Sequence, residues 1–294
     1  MNPALKTTIN KSCTLIEFLT GQYPDSPRTR IKKLLQSGSV RVNDKQVTLH
    51  SFMLSPGDNV EILRQVPHSA GSELPFPILY EDKDVIVVDK PAGRPTSSTD
   101  GSLSIQTVVS GYLKIVSKGK LRAFVVHRLD KEVSGVLLFA KSVDAMQAIK
   151  DSWKETEKHY YALVEGIPGQ EEGTISSWLI EDKSQKVHST SSGVPDAKFA
   201  ITHYRILKLV GEHTLLDIKT DTGRKNQIRV HLSDIRCPIV GDRKYGASDT
   251  YKRRVRLHAW SLSFQRPFGG GKITITSPMP EGFLSLKKRD EHYK

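Results

Sequence analysis

The sequence predicts an α+β protein built from two unequal units. Residues 77–294 hold a succession of short apolar, β-branched runs bounded by turn residues, with few helix-period segments between them. Such a pattern favours a central mixed, mainly antiparallel sheet over alternating strand–helix units. Gln65–Phe76 gathers Pro, Gly and Ser without periodicity, as a linker does. This sets boundaries of 1–64 for a small α/β module, 65–76 for the linker and 77–294 for the larger unit.

The small module is read in chain order. Thr14 can cap a short helix over Leu15–Gln22, and Ser26-Pro27 opens a second helix running to Gln36, where Ser37-Gly38 stops it. Ile31, Leu34 and Leu35 share one face of that helix, while Arg28, Arg30, Lys32 and Lys33 point away from it. Cations crowded together without a carboxylate suit a phosphate-contacting face better than an ordinary solvated one, which mixes signs. Ser39–Asn43 and Lys45–Thr48 read as strands around an Asn43-Asp44 turn.

In the larger unit the strand-like runs are Ile78–Tyr80, Val85–Asp89, Phe124–Val126, Val136–Lys141, Tyr160–Val164, Leu215–Lys219, Leu257–Phe264 and Ile273–Thr276. Helices are expected over Val143–Glu157, with Met146, Ile149 and Trp153 on one face, and over Lys225–Ile235, with Ile228, Leu232 and Ile235 inward. Ile175–Pro195 is polar and Ser-rich and is expected as a hairpin or mobile loop. Gly269-Gly270-Gly271 is expected as a hairpin turn.

The chain has 44 Lys and Arg against 32 Asp and Glu, a net charge of +12. Nucleic acid is the expected partner, because phosphates reward clustered cations through counterion release; a basic protein without such a ligand is the competing reading. Cys13 and Cys237 are too few for a disulfide framework or a multi-Cys zinc site and suit a reducing cytoplasm. No apolar run is long enough to cross a membrane as a helix, and Met1–Thr20 lacks a signal-peptide core. Walker, dinucleotide, His-Glu-x-x-His, zinc-deaminase and Gly-x-Ser-x-Gly motifs are all missing. No cofactor, no metal site and no membrane partner is expected, and the expected state is a monomer.

Against that background one acid stands out. His127-Arg128-Leu129-Asp130-Lys131-Glu132-Val133-Ser134-Gly135 sets Asp130 at a strand-to-turn junction between the apolar runs Phe124–Val126 and Val136–Ala140. Read as His-Arg-Leu-Asp followed by Ser-Gly, it resembles the active-site motif of the RluA family of RNA pseudouridine synthases. Val133 stands where that family commonly has Thr. Four further blocks resemble the family in order and spacing: Ile78–Gly93, Lys158–Gly166, Thr222–Leu232, and Pro238–Asp242 with Leu257-His258-Ala259. His is commoner in the family at Asn226. Separately, Ser26–Asn43 resembles the S4 RNA-binding domain, over about residues 11–64.

The resemblance implies a pseudouridine synthase fold and isomerisation of uridine in RNA. That reaction breaks N1–C1′, turns the base and rejoins it through C5. It implies Asp130 as the catalytic aspartate, Arg229 as its partner and Tyr160 as the active-site phenol, with Tyr161 the competing assignment. Strand alternation lets only one of the two tyrosines face the site. An Arg fork can bind a carboxylate bidentately, which Lys cannot. Arg128 is implied as the side chain that fills the space of a flipped base. Arg224, Lys225 and Arg243 are secondary phosphate-contact candidates. His127 and His231 read as hydrogen-bonded core residues. Ribosomal RNA is the expected substrate and transfer RNA the alternative. Two rivals stay in view. One is a catalytically silent RNA-binding or ribosome-assembly factor, which would not need Asp130, Tyr160 and Arg229 together. The other is a hydrolytic glycosidase, which commonly uses two flanking carboxylates; the sequence singles out no second carboxylate to serve with Asp130.

Overall fold

A computed structural model of the chain describes residues 5–24, 26, 31, 35, 40–43, 45–47, 49–62, 74–98, 102–248 and 254–285. Residues 5–62 carry β1 (Leu5–Thr8), β2 (Cys13–Thr14), α1 (Leu15–Gln22), β3 (Val40–Val42), β4 (Lys45–Gln46), β5 (Met53–Leu54) and β6 (Asn59–Ile62). The order β1-β6-β3-β4 forms an antiparallel sheet, and β2 pairs with β5.

Thr14 caps α1 as its sequence requires. Its hydroxyl accepts from the Glu17 N–H, and the Glu17 carboxylate accepts from the Thr14 N–H at 2.8 Å. Leu15 and Leu19 then bury against Val40, Val60, Ile31 and Leu35 in a core that holds only residues of this unit. Ile31 and Leu35 are helical and buried, as the expected second helix requires. Leu34 and the cations Arg28, Arg30, Lys32 and Lys33 lie outside the described residues.

The larger unit contains β7 (Ile78–Glu81), β8 (Val85–Lys90), α2 (Ile105–Val116), β9 (Phe124–Val125), β10 (Ser134–Ala140), α3 (Val143–Asp151), β11 (Glu157–Glu165), β12 (Glu172–Glu181), β13 (Val187–Thr190), β14 (Lys198–Val210), β15 (His213–Thr220), α4 (Gln227–Asp234), β16 (Leu257–Gln265) and β17 (Lys272–Thr276). One 11-stranded sheet runs β13-β12-β14-β15-β11-β16-β10-β8-β7, with β17 on β16 and β9 on β10. Its ladders are antiparallel except for β10 beside β16, so the mixed, mainly antiparallel sheet is as expected.

β10 is buried along its whole length, which explains its unbroken apolar sequence. Leu137 and Phe139 face α2, which contributes Ile105, Val109 and Leu113. Val136, Leu138 and Ala140 face α3, which contributes Ala145 and Ile149. Leu74 and Phe76, placed in the linker by their neighbours in sequence, pack on the first of these cores. Most of the rest of that stretch lies outside the described residues.

Several elements differ from expectation. The helix from Val143 stops at Asp151, and Trp153–Glu155 forms a separate 3-10 turn. Helix α2 was not expected, although Ser104 caps it and Ile105, Val109 and Leu113 mark one face. The polar stretch expected as a hairpin or loop is a hairpin, but its arms β12 and β13 are part of the main sheet. β14, thirteen residues long, went unread because its burial alternates imperfectly near the sheet margin. Gly269–Gly271 lies in the β16–β17 connection, as the hairpin expectation requires.

Candidate active site

Asp130 sits in the loop between β9 and β10, and local chemistry fixes that loop from both sides. The Thr96 hydroxyl donates to the Leu129 carbonyl at 2.8 Å and accepts from the Leu129 N–H at 3.0 Å. On the other side Lys90, fully buried, donates to the carbonyls of Pro91 (3.2 Å), Lys131 (3.2 Å) and Val133 (2.6 Å). Burial lowers the Lys90 ammonium to about 8, although Asp130 and Glu132 pull it upward. The second residue of β10, Gly135, has φ +114°, and an added Cβ there would lie 2.1 Å from the Ala259 carbonyl oxygen. Only glycine allows β10 to enter the sheet beside β16 at that point.

Val133 is buried in the main core. Its side chain also forms part of the cleft wall, and nothing in the structure explains valine in place of the threonine common in the family. Its backbone N–H closes the turn onto the Asp130 carbonyl at 3.1 Å.

A cleft open to solvent is lined by Arg128, Asp130, Tyr160, Arg224, Asn226 and Arg229, with apolar walls from Leu129, Val133, Ile228 and Leu257. Residues far apart in sequence thus meet here: Asp130, Tyr160, Arg229, Arg128 and Arg224. Lys225 does not line it; its ammonium pairs with Glu181. Arg243 is exposed on the 3-10 turn Arg243–Tyr245.

The Arg229 fork is not where sequence alone puts it. Its Nε and one terminal nitrogen grip Asp242 at 2.6 and 2.7 Å. The other terminal nitrogen reaches Asp130 at 3.4 Å and Asn226 Oδ1 at 3.3 Å. The bidentate partner is therefore Asp242, and Asp130 receives a single, longer contact. Asp242 is positioned by Gly241, whose φ of +81° and 2.4 Å approach to the Arg254 carbonyl oxygen exclude a Cβ. Asn226 takes the left-handed conformation that caps α4, and its amide donates to the Tyr245 hydroxyl at 2.9 Å. The Tyr245 ring lies 5.0 Å from the guanidinium carbon.

This arrangement sets the charge state of the centre. Desolvation raises the Asp130 carboxyl above its ordinary value, and Glu132 and Asp242 push the same way, while Arg229 opposes them. Burial works against the charge on Arg229, but the hydrogen bonds and charges of Asp242 and Asp130 outweigh it, so the guanidinium stays cationic. Glu132 is 3.9 Å from Arg229, and Asp242 is nearer still. Carboxylates thus do accompany Asp130, contrary to the sequence expectation. Neither lines the cleft, so the two-carboxylate geometry of a glycosidase is not formed.

Tyr160 faces the cleft and Tyr161 the opposite side of the sheet. β11 shifts register against β16 between His159 and Tyr160, a bulge of the kind that re-aims a side chain. Tyr161 stacks on Trp260 at 5.1 Å and 10° and packs near Leu163 and Phe283. Desolvation, and less strongly the Asp130 charge, push the Tyr160 phenol well above its usual value, so it stays protonated.

The two motif histidines are structural, as expected. His127 Nε2 accepts from the Leu138 N–H at 3.1 Å, and burial depresses the ring to about 3. His231 is held between Thr202 at 2.9 Å and Ser177 at 3.0 Å. Sequence reasoning missed Asp242, Lys90 and Thr96 as parts of this site. The Gly-Asp pair after an apolar run and the Lys-Pro pair ending a strand were the available signals.

The comparisons agree with this geometry. Residues 84–234 match the family model described as RNA pseudouridylate synthase. The chain is 32% identical over 287 residues to the RNA pseudouridine synthase YlyB of Bacillus subtilis, covering 94% of this chain and 93% of that protein. It is 31% identical to the ribosomal large subunit pseudouridine synthase D of Yersinia pestis, covering 95% of this chain and 94% of that protein. The solved structure of human RNA pseudouridylate synthase domain containing 4 superposes with a TM-score of 0.59 at 26% identity, over 70% of this chain and 90% of that one. With the cleft, the sheet and these likenesses in agreement, the chain belongs to the RNA pseudouridylate synthase family, and it is an isomerase of that class.

Proposed function

We propose that this enzyme isomerises uridine to pseudouridine in large-subunit ribosomal RNA, with Asp130 as its catalytic carboxylate. The single observation that carries the site assignment is Asp130 on the cleft, in contact with a buried arginine whose fork is already occupied by Asp242. Arg229 thereby supplies positive charge to Asp130 without enclosing its oxygens. The carboxylate stays available to a ribose, as nucleophile at C1′ or as counter-charge to an electron-poor sugar. Because 28% of the Asp130 side chain remains exposed, a ligand can reach it.

Tyr160 serves in its neutral form. Its ring offers a stacking surface for the detached uracil, and its hydroxyl can relay the proton that leaves C5 while N1 gains one, so the reaction balances as an isomerisation. Arg128, exposed at the cleft, fills the place of the extruded base by guanidinium stacking. Arg224 remains a phosphate contact, with its Nε anchored on the Phe199 carbonyl at 3.1 Å. The ribosomal target is supported by relatives named for the large ribosomal subunit.

The N-terminal unit, residues 1–64, serves in this proposal as an S4-like module that holds structured RNA. A separate sheet and core support that reading. The test is to map pseudouridines in ribosomal and transfer RNA from cells with and without this protein. Loss of large-subunit sites supports the proposal; loss confined to transfer RNA overturns the choice of substrate.

A further inference from the structure

From Gly101 to Leu129 the chain holds Lys114, Lys118, Lys120, Arg122 and Arg128 and no carboxylate. Lys114, Lys118, Lys120 and Arg122 are exposed. They lie where α2 ends and the chain turns into β9, and Lys114, Lys120 and Arg122 line an open groove whose far wall is Ser142–Val143. The nearby Lys141 is excluded from the count, because its ammonium is taken by Glu81 at 2.7 Å.

The cations are mounted on an ordered turn. Gly119 N–H donates to the Lys114 carbonyl at 2.7 Å, and Leu121 N–H to the Ser117 hydroxyl at 2.8 Å. Ala123 N–H donates to the Ser110 hydroxyl at 3.0 Å, tying the segment back to α2. Arg122 lies over the Phe124 ring at 4.6 Å, which fixes the guanidinium plane and leaves its N–H edge for an anion. Exposed cations carried on an ordered turn, unopposed by carboxylates in their own segment, match a polyphosphate rather than an isolated ion.

We infer that this groove is a second docking surface for the RNA substrate, binding the backbone of a stem that flanks the target uridine. The inference rests on the RNA-modifying reading of the cleft. Six residues separate Arg122 from Arg128, at most about 21 Å of extended chain. That bounds the chain path between the groove and the cleft, and in this inference a base-paired stem lies on the groove while an adjoining unpaired nucleotide enters the cleft. The contacts go to phosphate and carry no base sequence; they set register and raise affinity.

The test uses the full chain with Lys114, Lys118, Lys120 and Arg122 all replaced by Gln, and Lys120→Glu as a second variant. The binding probe is an RNA hairpin with a base-paired stem for the groove and an unpaired loop for the cleft. Each lost phosphate contact removes about 0.9 from the slope of log K against log salt, so the fourfold variant should lose up to about 3.6. Lys120→Glu, which reverses one charge on the groove, should weaken binding of the same hairpin relative to wild type. With large-subunit ribosomal RNA, KM should rise about tenfold or more while the rate at saturating RNA is kept. An unchanged salt slope and unchanged KM overturn the groove assignment; a wild-type enzyme that isomerises no RNA overturns the functional reading instead.

Discussion

At the residue scale, the informative feature is competition for one guanidinium. Arg229 could satisfy Asp130 with its fork, yet Asp242 holds that fork. Asp242→Asn should therefore release Arg229 toward Asp130. Asp242 is one of the groups that raise Asp130, so its removal should move the acid limb of the kcat–pH profile to lower pH. The repositioned arginine should cost about 10²-fold in kcat, and breaking the buried pair should cost about 3–5 kcal/mol in stability. A profile unmoved by Asp242→Asn contradicts this competition. In the wild type, Asp130 must be ionised to act and its carboxyl is raised. Activity should accordingly fall with acid while the pH is still above the ordinary Asp value of about 3.9. Tyr160→Phe keeps the stacking surface and deletes the hydroxyl. It should lower kcat by about 10²-fold with KM little changed, whereas a matching rise in KM alone would show the phenol only binds.

At the element scale, the site depends on how β10 begins. Gly135 lets β10 lie beside β16 in the parallel register Ser134–His258 and Gly135–Ala259. Gly135→Ala should destabilise the protein by more than about 3 kcal/mol, measured by urea unfolding; wild-type stability would show that the strand can shift. Much here was legible in the sequence. The apolar run of β10 and its Ser-Gly start announced a strand emerging from a turn, and Thr14 announced a helix start. What was not legible has a physical reason. β12 and β14 lie toward one margin of the sheet, where one solvated face weakens the apolar alternation. The fork's true partner was hidden because Arg229 and Asp242 meet through the tertiary fold. Helical periodicity says only that Arg229 lies on α4, not which carboxylate it will face.

At the scale of the whole molecule, a strongly basic chain suits an anionic polymer, and the proposal brings that polymer to Asp130 in the cleft. Among the described residues no helix is long and apolar enough to cross a membrane, and no cluster of His, Cys, Asp or Glu suits a metal ion. Because the N-terminal unit has its own core, deleting residues 1–64 should leave the catalytic unit folded. RNA affinity should weaken and its salt dependence flatten; an unchanged slope would contradict the S4-like role. On the proposed reading, substrate selection is divided between distant phosphate contacts and the cleft, and chemistry is confined to the cleft. The central claim is that Asp130 carries that chemistry. The direct measurement is the single-turnover isomerisation rate of Asp130→Asn on large-subunit ribosomal RNA, with RNA affinity measured in parallel. The account predicts loss of isomerisation with affinity nearly unchanged; a variant that still isomerises at the wild-type rate would contradict it.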